Sequence, residues 1–297
     1  MDIRHKDLEA FLAVARAGSF RQAATDRGVT PSALSQSLRA LEERMQVRLL
    51  NRTTRSVALT EAGDLLQARL TPAFADIEAA VDEVLSLGGR PAGRVRINAP
   101  APPIEHILMP VVPGFLATYP EISLEIIEDA GYVDIVRDGY DAGIRFGLEM
   151  AQDMIAVPLA DEVEYAVVAS PGYLEVRGVP EHPDDLLAHD CIRHRFPGGS
   201  IFTWRFARDG VDVALTPNGR LTVNHAHYAR AAAEAGSGLA RLALPYVEPQ
   251  LTDGRLIRVL QDWSPTIGKW HLYYPSRRQA PPAFKAFLSY IRSAQPR

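Results

Sequence analysis

Residues 10–50 read AFLAVARAGSFRQAATDRGVTPSALSQSLRALEERMQVRLL, and the punctuation inside this run decides the fold. Ser19 followed by Gln22 has the spacing of a capping box, so a helix is predicted to begin at Phe20 and to reach Arg27. Gly28 then supplies a left-handed stop. Thr30 is placed to accept from the free amides of a second helix, and Pro31 at its first position loses only an N–H that has no partner there. Two short helices joined by about three residues that include glycine form a helix-turn-helix, whose second helix enters the DNA major groove.

Within that second helix Leu34, Leu38 and Leu41 recur at three-to-four spacing and predict packing on Phe11, Val14, Phe20 and Ala24. The other face carries Ser32, Ser35, Gln36 and Arg39, the candidate DNA-contacting residues. Glutamine can pair with adenine through two hydrogen bonds, serine can bond several base edges, and a helix amino terminus favours phosphate. Downstream, NRTTRSVALT at 51–60 alternates like a short hairpin. It is predicted to be a wing over the phosphate backbone, presenting Arg52, Thr53 and Arg55. An ordinary helical hairpin with a solvated polar face is the bland alternative, and it does not explain why caps, glycine and wing occur together.

Charge follows the same division. Residues 1–60 hold ten lysines and arginines against six aspartates and glutamates, a surplus of +4 that leaves −8 for the remainder of a chain of 297 residues and formal charge −4. A basic head on an acidic body confines nucleic acid to the head. No run approaches the eighteen or so apolar residues of a membrane span, and the opening MDIRHKDLEAF lacks the apolar core of a secretory signal, so a cytoplasmic protein without a membrane partner is expected. The single cysteine, Cys191, excludes an intramolecular disulfide and fits a reducing compartment.

Thr60 caps a further helix predicted to run to about residue 87. Leu66, Leu70, Ala73, Ile77, Ala80, Val84 and Leu87 alternate spacings of four and three, a heptad seam for another helix. A dimer is one reading of this seam, and a helix buried against its own body is the other. Pro72 predicts a bend near residues 68–71, because an interior proline removes one hydrogen bond and clashes with the preceding turn. GGRPAG at 88–93 breaks all periodicity and reads as a hinge. Beyond it, Val95, Ile97 and Ala99 alternate as a strand, 106–119 reads as helix and 123–127 as a second strand. Short strands are further predicted at 142–146, 165–169, 221–223 and 239–242, alternating with helical stretches, which points to parallel, doubly wound α/β sheets.

GSFRQAA (18–24) with TPSALSQSLRALEERMQVRLLNRTTRSVALTEAG (30–63) resembles the winged helix of LysR-type transcriptional regulators. The resemblance continues in PVVPGFLATYPEISLEI, DGYDAGIRFG and EAGSGLARLALPYVEPQLTDGRLIRVL, which are similar to the effector domain of that family. It implies a winged helix-turn-helix at 1–60, a dimerisation helix at 61–87, the hinge at 88–93 and an effector domain at 94–297 shaped like a periplasmic binding protein. Two subdomains are implied, about 94–161 with 268–297 and about 162–267, the chain crossing near 160–163 and 262–268. The implied partners are double-stranded operator DNA, a small-molecule effector, RNA polymerase and further copies of the chain, as a homodimer or homotetramer.

By analogy with the family the cleft between subdomains is faced by residues 100–104, 129–131, 145–147 and 224–228. The candidate effector-binding residues are therefore Pro102, Pro103, Ile104, Ala130, Arg145, Phe146, Asn224, His225 and His227. Where many relatives place serine or threonine, this chain has Ala101-Pro102-Pro103-Ile104. Two prolines contribute no amide donors, so a simple carboxylate is not expected at that end, and a larger or less anionic ligand is. His225 and His227 can donate to an anion or cap a surface helix; Arg145 can bind a carboxylate or form an ion pair between subdomains. Phe196 and Trp204 read as hydrophobic packing.

His189, Cys191 and His194 lie close together, but no second cysteine pair accompanies them and Ile192 suggests a strand, so no metal site is expected. Gly236-Ser237-Gly238 reads as a helix stop rather than a dinucleotide loop. A two-lobed enzyme fused to a DNA-binding head is the rival reading; it needs a nucleophile with its base, a metal set or a phosphate loop, and none shows convincing spacing. The sequence therefore predicts a ligand-responsive DNA-binding regulator with no catalytic residue and no cofactor.

Overall fold

A computed structural model describes residues 3–52, 57–86, 90–131, 133–147, 153–159, 163–264, 268–276 and 280–294. The head is built by its caps. Helix α1 (His5–Ala17) stops at left-handed Gly18, Ser19 Oγ accepts from the Gln22 amide at 3.4 Å to start α2 (Phe20–Asp26), and Gly28 takes φ 65°. Thr30 Oγ1 accepts from the Ala33 amide at 3.2 Å and opens α3 (Pro31–Met45). The return half of the first capping box does not form, because Gln22 Nε2 donates to Asp26 Oδ1 at 2.7 Å instead. Phe11, Val14, Ala24, Leu34, Leu38 and Leu41 are buried together with Phe20 packed against them. Strands β1 (Leu50–Arg52) and β2 (Val57–Leu59) pair antiparallel as the wing, and Glu42 Oε1 accepts from the Leu49 and Leu50 amides, tying the wing to α3. The expected tip residues Thr53 and Arg55 lie outside the described residues.

Asp7 is only 4 % exposed and joins α1 to α3, accepting from Ser37 Oγ and from Arg44 Nη2 at 2.6 Å each. Burial pushes its carboxyl up, but the bonds from Ser37 and Arg44 and the charges of Arg44 and Arg4 outweigh it and hold the group below its ordinary 3.8. A carboxylate with a lowered native pKa stabilises the fold above its unfolded value, and that contribution is lost as pH falls through the native one. Asp7→Ala should cost about 3 kcal/mol at neutral pH, the low end for a broken buried pair because Arg44 is partly in water. Urea melting should show that difference shrinking as pH drops below 3.8.

Helix α4 (Glu61–Leu85) is capped by Thr60 Oγ1, which accepts from the Gly63 amide at 3.0 Å and donates to the Arg48 carbonyl at 2.7 Å. Gly63 is required there, since a Cβ would lie 2.1 Å from the Leu49 carbonyl oxygen. The helix continues past Pro72 without a break. Leu66 and Leu70 pack back on the head, whereas Ala73, Ile77, Ala80 and Val84 are exposed. The hinge expected at 88–93 includes residues 88–89, outside the described set, as does predicted seam residue Leu87.

The first sheet of the body has the order β4-β3-β5-β14-β6, from β3 (Gly93–Ala99), β4 (Ile122–Glu128), β5 (Ala142–Phe146), β6 (Met154–Pro158) and β14 (Trp270–Pro275). The second has β12 (Ala240–Ala243) and β13 (Ile257–Val259) on either side of β7 (Tyr165–Ala169). Strand β3 runs parallel to β4 and β5, but β14 is antiparallel to β5 and β6, and β12 and β13 are antiparallel to β7. The all-parallel expectation is thus corrected: the first sheet is mixed and the second is antiparallel throughout. Strand β14 returns the chain to the first sheet without the helical crossover that a parallel strand requires. Strands β8 (Arg193–His194) and β11 (Thr222–Val223) form a short parallel pair, and β9 (Trp204–Arg208) and β10 (Val211–Leu215) a hairpin. The remaining helices are α5 (Ala101–Pro103), α6 (Val112–Thr118), α7 (Pro171–Arg177), α8 (Ala226–Glu234), α9 (Glu248–Thr252) and α10 (Pro282–Ala294).

The helix expected over 106–119 is split. A π-helical turn follows α5 over Ile104–Leu108, and α6 starts only at Val112, because Pro110 and Pro113 remove the amides needed for continuity. Along β7 the side chains alternate between two cores: Val167 and Ala169 join Trp204, Phe206 and Leu174, while Ala166 and Val168 join Ala229, Ala233 and Tyr246. Both faces of the second sheet are therefore covered. Among the described residues no helix is long and apolar enough to cross a membrane.

Candidate nucleic-acid interface and effector cavity

On α3, Ser32, Gln36 and Arg39 are exposed on the face opposite the leucines, and Ser35 is half-buried at the edge of that face. Ser37 is turned inward to Asp7 and is unavailable for DNA. Arg39 shares a groove with Arg48, Leu50 and Asn51 between α3 and the wing. Arg48 is a cation that the sequence reading passed over, although its place just ahead of the first wing strand was a usable signal. Arg52 ends β1, next to the tip.

A cavity of about 300 Å³ opens between the two sheets of the body. Of the expected residues, Pro102, Ala130, Arg145, Phe146, Asn224 and His225 line it, whereas Pro103, Ile104 and His227 do not. Pro103 is buried, and Ile104 packs into the core of the first sheet. His227 is the second residue of α8 and places Nδ1 3.0 Å from Arg230 Nη2. His225 is the N-cap of that helix: its Nδ1 accepts from the His227 amide at 3.2 Å, and its Nε2 lies 3.2 Å from Glu128 Oε1 at the end of β4. That contact links the end of the first sheet to the helix packed on the second.

Arg145 is held in place by Asn98 Oδ1 at 2.6 Å, the Gly131 carbonyl at 2.8 Å and the Ile144 carbonyl at 2.7 Å. The wall is aromatic. Phe146 meets Trp270 with ring centroids 5.2 Å apart, and Tyr165 meets Phe202 at 5.7 Å. Phe196 and Trp204, expected to be packing residues, also face the cavity, as do His194, Arg241 and Tyr246. Burial, then the neighbouring His225, lowers the His194 pKa and favours its neutral ring. The alternation Phe202, Trp204, Phe206 and the lone arginine inside LARLAL were the signals for these missed residues.

The remaining cluster has other work. His189 Nδ1 lies 3.1 Å from Tyr173 Oη, and Cys191 is buried, its thiol pushed up to about 12 by burial and by Asp190. A thiol so raised is an inert packing group.

A winged helix-turn-helix joined by a long helix to a two-sheet body around a cavity defines a ligand-binding DNA regulator. The chain belongs to the LysR-type transcriptional regulators: residues 5–64 match the bacterial regulatory helix-turn-helix proteins of the lysR family, and residues 88–296 match the LysR substrate binding domain. Such regulators bind operator DNA and small-molecule effectors and oligomerise. The chain is 40 % identical over 287 residues to the HTH-type transcriptional regulator PgrR of Escherichia coli (strain K12), covering 96 % of each. It is 39 % identical over 295 residues to the HTH-type transcriptional regulator YcaN of the same organism, covering 99 % of this chain and 97 % of that one. The full-length structure of the Vibrio cholerae virulence activator AphB superposes with a TM-score of 0.66 at 25 % identity, covering 98 % of this chain and 99 % of that one.

Proposed function

We propose that this chain regulates transcription from the cytoplasm without catalysis, binding double-stranded operator DNA as a homodimer or homotetramer whose head placement is set by a small molecule in the cavity. The cavity walled by both sheets carries this reading, because a ligand that touches both changes the preferred angle between them. Such a shift needs different affinities for two states. Ser32, Ser35, Gln36 and Arg39 would meet base edges, and Arg52, Thr53 and Arg55 the phosphates. Ala73, Ile77, Ala80 and Val84 would form the dimer seam, leaving Leu66 and Leu70 to their own head. We place the subdomain boundaries at about 94–161 with 268–297 and about 162–267. RNA polymerase would be a further partner when the operator-bound form activates.

The test is a thermal-shift screen of metabolites on the full chain, followed by operator footprinting with each hit, since a ligand of the native state raises its apparent stability. Hits should alter the footprint and be recovered unchanged. Hits converted into products would favour the enzyme reading instead.

A further inference from the structure

Every side chain of β12 is buried, and one of them is an arginine. Arg241 is 5 % exposed, with its guanidinium carbon 5.0 Å from the Tyr165 ring centroid, 5.8 Å from Phe202 and 5.4 Å from Phe206. Nη2 donates to the Arg205 carbonyl at 2.7 Å, while Nε and Nη1 are buried with no acceptor. Burial brings its pKa down to about 10, which still leaves it charged at neutral pH. A buried charge without an opposite partner is costly, and an apolar residue on this strand would avoid that cost.

The second guanidinium on the cavity repeats the pattern, since among the described residues Arg145 bonds to neutral oxygens. The carboxylate on the lining, Glu128, is engaged with His225. Among the described residues, then, two guanidinium groups face one cavity from opposite sheets with no carboxylate paired to either. The surrounding surface is made of flat rings, among them Tyr165, Phe202, Trp204 and Trp270.

We infer that the effector is an aromatic carboxylate, its carboxylate paired with Arg241 and its ring set among Tyr165, Phe202 and Trp204. The inference rests on the cavity being the effector site. It moves the anion from the proline-blocked end at Pro102, where amide donors are missing, to the opposite wall. The planar two-pronged guanidinium suits a carboxylate, and the ring faces suit a second planar group. A cavity of about 300 Å³ lies at the small end of ligand pockets, which favours a one- or two-ring acid over a long chain.

The test titrates the full chain with benzoate and 1-naphthoate, with benzamide as the neutral counterpart and with acetate and inorganic phosphate as ring-free anions. The two aromatic acids should raise the melting temperature at concentrations where the other three do not. Arg241→Met should weaken their binding at least about tenfold, as loss of a charge-assisted pair requires. If that variant does not fold, Arg241→Lys, which keeps the charge but loses the flat fork, must show the weakening. Binding of benzamide equal to benzoate, undiminished benzoate binding in the folded Arg241 variant, or no binding of either acid at about 10 mM overturns the inference. Ala229→Trp, which fills the cavity, separates the two levels of the argument. Acid binding that survives it defeats the cavity as effector site, whereas binding lost there but kept in Arg241→Met defeats only the assignment to this arginine.

Discussion

Ile77→Asp should abolish tight operator binding while the body keeps its near-ultraviolet circular dichroism. Ile77 is 50 % exposed in the single chain and Val84 is 65 % exposed, with Val81 and Leu85 also open on the same helix. Large apolar groups gathered on one long helix suit a partner, and under the proposed dimer a second copy of that helix would supply one with the same heptad. An aspartate in mid-seam would face its partner's seam without a counter-charge. A single head would then hold one half-site, and the loss of paired binding is worth about 10²–10⁴ in affinity. Sedimentation should show the monomer, and gel-shift titration the weakened complex. A mutant that stays dimeric and footprints like the parent would remove the seam from this account.

The second large effect separates reading from holding. Gln36 is exposed on the polar face of α3, where a two-pronged amide can read adenine, and Gln36→Ala should cost about 1–3 kcal/mol at particular operator positions only. Arg52 ends the first wing strand, so Arg52→Ala should weaken all sequences alike and flatten the salt dependence by the release of about one counterion. Competition binding against single-base operator variants at several salt concentrations distinguishes them. Equal changes in specificity from both substitutions would contradict the division of roles.

The head was legible because its signals are local: Ser19, Gly28, Thr30 and Thr60 act on amides within a few residues. Strands at 142–146 and 165–169 were equally plain, each a short stretch rich in β-branched and aromatic residues between turn signals. Strand direction was not, since the ladder that makes the first sheet mixed joins Gly143 to Tyr273, with the whole second sheet between them in the chain. Leu66 and Leu70 share the heptad with Ile77, and spacing alone does not show that the head claims them first. The cavity was half legible. Pro102, Arg145 and His225 reach it, but His227 is carried away by the first turn of α8. Arg241 escaped notice because a charge in a strand normally faces solvent; here both faces of the sheet are covered, so the outward side is also an inside.

The most direct measurement is selection of duplexes from a randomised DNA pool by the purified full chain, with the mass of the selected complex determined in solution. The account predicts an enriched sequence of two related half-sites, bound by two or four chains, with centres about 10 base pairs or a multiple apart so that paired α3 helices meet the same side of the duplex. A single unrepeated site bound by one chain, or no enriched sequence at all, would contradict it.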